Sequence, residues 1–225
     1  MKKILVILGR ENLHKDSYIY QNLFEKLKQK NLEIRFDPVD ELNFIHLKVQ
    51  DFSDRIQPNK LVLSLFSKWL KLKFLLKFRH FGLGYFKLHE PNQRDFDFRK
   101  VVMRYYLQTL PRNREIYLVG RSAGARIATE LADEFNIKQV FCLGYPFKQP
   151  DFVEEPERTD HLRTIKTPTL IFQGINDPYG GRELLEKYTF SAAIKISFFD
   201  TDHDFGCLEE EYATIKYNIT SILNR

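Results

Sequence analysis

Three residues that could cooperate in acyl chemistry lie in the later half of the chain, in the order Ser122, Asp177, His203. A serine hydroxyl is a poor nucleophile until a base takes its proton. An imidazole suits that task, and a carboxylate behind it would fix its tautomer and stabilise the imidazolium. The serine stands in Gly120-Arg121-Ser122-Ala123-Gly124, between the apolar run Ile116–Val119 and a helical pattern with Ile127, Leu131 and Phe135 spaced by four. Strand, sharp turn and helix in that order form a nucleophile elbow, which pushes the hydroxyl out beyond the strand. Bulky residues in place of Gly120 or Gly124 would collide in so tight a turn. The N–H of Ala123 opens the helix and points where an oxyanion would form. A second oxyanion donor is expected from the N–H of Arg10, in the loop after the first strand.

Each residue taken singly has a plainer reading. Gly120 to Gly124 could be any Gly-rich turn, and Asp177-Pro178 after Gly174 could be a turn and nothing more. His203, flanked by Asp202 and Asp204, could pair locally on the surface or belong to a metal site. A lone histidine between two aspartates is a poor ligand set, so no metal is expected. Cys207, close to His203, offers a thiol as a rival nucleophile. What favours the triad is coincidence: all three residues follow predicted strands, in the order Ser, Asp, His.

The elements that must position these residues alternate strand and helix. Strands are expected at Lys3–Leu8, Leu32–Phe36, Ile116–Val119, Gln139–Leu143, Thr169–Gln173 and Ile194–Phe199. Helices are expected from a Ser17 cap to about Lys30, over Phe98–Leu110, after the elbow, over Arg182–Tyr188 and over about Leu208–Leu223. This predicts an α/β fold: a mostly parallel sheet of about six strands with helices on both faces. Open parallel sheets bind ligands beyond the carboxyl ends of their strands. The Gly9-Arg10 loop, Ser122, Asp177 and His203 all fall at such ends, so they are expected to gather at one edge. Residues 38–94 are long for one connection. Short elements are expected at Leu42–Leu47 and Leu61–Leu70, while Leu70–Phe78 conflicts, with alternation arguing for a strand and Leu/Lys content for a helix.

At 225 residues the chain suits a single domain, 1–225, in which 38–94 forms a cap-like insertion. Two cysteines make no disulfide framework; Cys142, in an apolar run, reads as a buried thiol, and a cytoplasmic setting is expected. The N-terminal apolar stretch Ile4–Leu8 falls short of the roughly 7–15 residues of a signal peptide's apolar region. No uncharged run approaches the ~20 residues of a membrane span.

The segments Leu118 to Arg126, Gly144-Tyr145-Pro146-Phe147, His161 to Asp177 and Asp202-His203-Asp204-Phe205 together resemble the small, nearly lidless α/β-hydrolases related to dienelactone hydrolase. The resemblance covers roughly the second half of the chain and is nearest to predicted α/β-hydrolases of the KANSL–TEX-like type. It implies the α/β-hydrolase fold and esterase-like acyl hydrolysis of a small ester or thioester by Ser122, Asp177 and His203, with no cofactor. His161 matches a recurrent position before a strand and is read as structural. Two departures stand out. Where relatives usually carry His-Gly after the first strand, this chain has Leu8-Gly9 followed by Arg10, which could hold an anionic group instead. The insertion 38–94 is also longer than a minimal hydrolase needs.

Net charge is +5, and the excess is local. Between Lys60 and His89 lie Lys60, Lys68, Lys71, Lys73, Lys77, Arg79 and Lys87 with no Asp or Glu, interleaved with Phe66, Trp69, Phe74, Phe78, Phe81, Tyr85 and Phe86. The plain reading is a cap packing its apolar side inward with lysines in water. A sharper one is weak contact with anionic membrane or lipid. Nucleic acid is not expected, since no recognised module is present. The expected partner is a small ester-like molecule; the alternative function is a non-catalytic hydrolase-fold binding module, attached to anionic membrane through residues 60–89.

Overall fold

The computed structural model describes residues 2–9, 18–27, 30–79, 95–153, 155–206 and 209–224, without the side chain of Asn43. Arg10, the Ser17 cap, Cys207 and the part of the basic aromatic stretch in 80–94 lie outside the described residues. The chain divides into two compact units, one of Met1–Arg35 with Pro111–Arg225, the other of Phe36–Leu110.

Six strands form one sheet: β1 (Lys3–Leu8), β2 (Leu32–Phe36), β3 (Glu115–Arg121), β4 (Ile137–Leu143), β5 (Thr169–Gly174) and β6 (Ile194–Phe199). Their spatial order is β2-β1-β3-β4-β5-β6. The pairings β1–β3, β3–β4, β4–β5 and β5–β6 are all parallel. Successive strand residues face opposite sides, so a run buried without interruption means both faces are covered. Ile4 to Leu8, Leu118 to Arg121, Val140 to Leu143 and all of β5 are buried in this way, whereas the edge strands β2 and β6 are mostly half-buried. The sheet is the parallel α/β arrangement that the alternating pattern predicts.

The order in which strands are added reverses at β1, with β2 on one side of it and β3 on the other. Such a switch point leaves a crevice at the carboxyl ends of β1 and β3. Ser122 follows β3 directly, and in register Gly120 lies beside Leu8, the last residue of β1.

In the second unit, the segment expected to hold short elements is two long helices, α1 (Pro38–Ile56) and α2 (Lys60–Lys77), followed by α3 (Phe96–Thr109). Asp37-Pro38 both follows the last residue of β2 and starts α1. Asp37 accepts the N–H groups of Val39 and Asp40 at 2.9 and 3.2 Å, and Pro38 occupies the first turn, where no N–H is needed. Asn59 caps α2 by accepting the N–H of Val62 at 2.9 Å. The Leu70–Phe78 ambiguity resolves as helix up to Lys77. Arg99 on α3 is buried and bonds Asp37 at 3.3 Å and Asp40 at 3.2 Å, tying α3 to the start of α1. Burial works against the guanidinium charge, but the two carboxylates outweigh it and hold the Arg99 pKa above its ordinary value.

Among the described residues, the first unit holds α4 (Ala123–Ala132), the single turn α5 (Arg182–Leu185), shorter than the Arg182–Tyr188 expected, and α6 (Glu209–Leu223). The helix expected from Ser17 to about Lys30 is a π-helix at Tyr20–Phe24 followed by a 3-10 turn at Glu25–Leu27. Pro156–Arg158 and Asp160–Arg163 are further 3-10 turns. No described helix is long and apolar enough to cross a membrane.

Candidate active site

The turn between β3 and α4 explains its own sequence. A Cβ on Gly120 would stand 2.4 Å from Ala125 Cα, and one on Gly124 would stand 2.4 Å from the Leu8 carbonyl oxygen. The first glycine thus lets the helix fold back on its strand, and the second lets the helix lie against the end of β1. In neither case is the obstacle Ser122. Gly124→Ala is expected to cost about 1–3 kcal/mol or more, because the obstruction is backbone and cannot rotate away. A fall in the urea midpoint at unchanged m-value checks this.

Ser122 itself has φ 52° and ψ −124°, a strained conformation for a residue with a Cβ. Its N–H is held by the carbonyls of Leu143 at 3.3 Å and Gly144 at 3.2 Å, both at the end of β4. Its Oγ lies 2.9 Å from Nε2 of His203. The other ring nitrogen, Nδ1, lies 2.9 Å from Oδ2 of Asp177. The structure therefore brings together the three residues singled out by order and strand position. Asp177 and Ser122 are buried and His203 is half-buried.

The Asp177 carboxylate is tightly oriented. Oδ1 accepts the Tyr179 N–H at 2.8 Å, closing the Asp-Pro turn that the plainer reading anticipated. Oδ2 faces His203 and also accepts from Nε2 of Gln173 at 2.7 Å. Gln173 is fully buried; its Oε1 accepts the Tyr145 N–H at 2.8 Å and its Nε2 also donates to the Tyr145 carbonyl at 3.3 Å. The Tyr179 ring packs on the imidazole with centroids 4.2 Å apart.

Arg121, the residue before the serine, secures the histidine loop. Its buried guanidinium donates to the His203 carbonyl and to Oδ1 of Asp204, each at 3.0 Å. Asp202 accepts the N–H of Asp204 at 2.9 Å. The two acids flanking His203 thus brace its loop. Sequence reasoning missed Gln173 and Arg121. The available signal was a polar or charged residue at the end of an otherwise apolar, doubly buried strand, which requires a partner.

Ala123 is the first residue of α4, where a helix leaves its N–H groups without partners inside the helix. Gly9 is buried beside Gly124, 3.1 Å from the position of its would-be Cβ. Arg10, the expected second oxyanion donor, is not among the described residues. His161 has the structural surroundings expected of it, with Nε2 at 2.9 Å from Thr129 Oγ1 on α4. Burial pushes the Cys142 thiol well above its ordinary pKa, which leaves it an inert core residue.

Comparison with known proteins follows the same lines. Among solved structures, a Xanthomonas campestris pv. campestris protein assigned to the alpha/beta hydrolase superfamily superposes with TM-score 0.59 at 11% identity, over 98% of this chain and 99% of that one. The thioesterase domain from the curacin biosynthetic pathway gives TM-score 0.57 at 11% identity, covering 98% of this chain and 91% of that one. The esterase domain of a Rhodothermus marinus protein gives 0.53 at 17%, covering 97% and 84%. At such identities the likeness shows a shared fold. No curated protein matches the sequence significantly. The alpha/beta hydrolase domain family, however, matches residues 87–225, more than half of the chain and all three of Ser122, Asp177 and His203. With the parallel sheet and the elbow at the end of β3, that match makes this chain a member of the alpha/beta hydrolase family.

Proposed function

We propose that this chain is a serine hydrolase that cleaves a small carboxylic ester or thioester through an acyl-enzyme at Ser122. The observation that carries the reading is the continuous relay from Asp177 Oδ2 to His203 Nδ1 and from Nε2 to Ser122 Oγ, with both links at 2.9 Å. Oγ attacks the substrate carbonyl while its proton passes to Nε2. The resulting oxyanion is held by the Ala123 N–H and by a donor from the loop after Gly9, which we assign to Arg10. Each such donor typically contributes about 2.7–4 kcal/mol to the transition state. The imidazolium, stabilised by Asp177, protonates the departing alcohol or thiol. Water then enters, gives its proton to Nε2 and attacks the acyl group, and the acid leaves as Oγ regains its proton.

The direct test is a fluorophosphonate, which phosphonylates only an activated serine hydroxyl. Labelling of the native protein, mapped to Ser122 by mass spectrometry, is the expected result. A folded protein that takes up no label would return the chain to the non-catalytic reading.

A further inference from the structure

We infer that the outer face of α2 is a docking surface for an anionic lipid bilayer. This inference is independent of the hydrolase chemistry.

The helix has two apolar faces rather than one. The inner face is accounted for: Phe74 is buried, and Phe66 stacks on Phe52 of α1 with ring centroids 4.3 Å apart. Leu61, Leu65, Trp69, Leu72 and Leu76 are all exposed, Leu61 by 69% and Trp69 by 49%. Their spacings of four, four, three and four residues put them on a single stripe of the helix surface. The stripe runs from the first turn to the last, about 22 Å. A scattered exposed leucine needs no explanation, but a continuous stripe of this kind does.

Charge identifies the occupant. At 100° per residue, Lys68 and Lys71 fall on one flank of the stripe and Lys73 on the other, all three exposed. Lys77 is committed to Glu41 of α1. From Lys60 to Arg79 there is no acidic residue. A second copy of the same helix would bring lysines against lysines with no carboxylate in the stretch to pair them. A phosphate-bearing bilayer satisfies both features at once. Leucines and the indole enter the acyl boundary, while the lysine stems follow them and keep their ammonium groups at the phosphates. Nζ of Lys73 lies 3.7 Å from the centroid of the Trp69 ring, so an indole and a cation are already presented together on that flank.

Trp69 is the chain's only tryptophan and so reports on the stripe without labelling. The full protein is to be mixed with vesicles of phosphatidylcholine alone, or of phosphatidylcholine with phosphatidylserine. The expected result is flotation and a blue shift of emission with the phosphatidylserine vesicles only, both reversed by high salt. The triple variant Lys68→Glu, Lys71→Glu, Lys73→Glu should weaken this binding more than tenfold. The pair Leu65→Ser, Leu72→Ser should suppress the blue shift even where some flotation persists. All five positions are exposed, so circular dichroism and fluorophosphonate labelling should match the native protein. Three outcomes would overturn the inference: no vesicle binding, binding indifferent to the lysine reversals, or a blue shift that needs only high protein concentration and no lipid, which would indicate self-association. Binding to poly-glutamate with no binding to vesicles would likewise replace the bilayer with an acidic protein partner.

Discussion

Ser122→Ala and Ser122→Gly are both expected to lose ester turnover by about six orders of magnitude in kcat, yet to differ in stability. The hydroxyl is the proposed nucleophile, and neither variant has one. The backbone at this position has φ 52° and ψ −124°, a conformation that a Cβ resists and glycine accepts. Alanine keeps the Cβ and with it the strain. Glycine releases strain of about 1–3 kcal/mol, against an entropic cost of about 0.5–1 kcal/mol in the unfolded chain. Ser122→Gly is therefore expected to unfold at higher urea than the native protein, by about 1 kcal/mol, while Ser122→Ala stays near it. His203→Ala should lose nearly as much turnover as either, and combining it with Ser122→Ala should cost little more, because the two residues act on one proton. Ester kinetics and urea titrations on the native protein and the four variants check all of this. Turnover by Ser122→Ala within tenfold of native would remove the serine from the chemistry. A glycine variant less stable than the alanine variant would show that the turn stores no strain.

Much of this site was legible in the sequence because parallel sheets impose order on distant segments. Once Ile116–Val119, Thr169–Gln173 and Ile194–Phe199 are read as parallel strands, their carboxyl ends must lie on one edge, and Ser122, Asp177 and His203 go with them. The glycines of the elbow were legible for a related reason, although the atoms that exclude a side chain belong to Ala125 and Leu8 and not to the serine. The second unit was harder to read. Periodicity finds a helix by contrasting one apolar face with a polar remainder. The stripe from Leu61 to Leu76 lies on the outside of α2 while Phe66 and Phe74 lie inside, so apolar residues occur nearly all round and the contrast is lost. The start of α1 was hidden for another reason, since Asp37-Pro38 both ends a strand and begins a helix. The supports Gln173 and Arg121 went unnoticed because a partner's identity is a long-range fact. A buried glutamine in a strand announces only that a partner exists.

Asp177→Asn tests the part of the site that those supports make rigid, and it should lower kcat by about 10⁴ while the fold survives. The native carboxylate is an acceptor on every side, taking Tyr179 N–H on Oδ1 and both Gln173 Nε2 and His203 Nδ1 on Oδ2. An asparagine has one acceptor oxygen and one NH₂ group. With its oxygen on the Tyr179 amide, the NH₂ faces Gln173 and His203. Gln173 cannot turn over to accept it, because its own amide is already matched to the N–H and carbonyl of Tyr145. The histidine must then yield. Nδ1 becomes the acceptor, the proton moves to Nε2, and Nε2 can no longer take the proton of Ser122. With the asparagine turned the other way, the NH₂ meets the Tyr179 N–H, a buried donor-to-donor contact of about 1–3 kcal/mol. The first arrangement also sets the NH₂ against the Gln173 amide, but Gln173 Nε2 keeps the Tyr145 carbonyl as an acceptor, whereas the second takes the Asp177 acceptor away from a backbone N–H. The first is favoured, and turnover falls through the tautomer. Nitrogen NMR of the His203 ring should show the proton on Nδ1 in the native protein and on Nε2 in the variant. If Asp177→Asn alone kept native turnover, the carboxylate would be a turn residue and no more, and the relay would end at the imidazole.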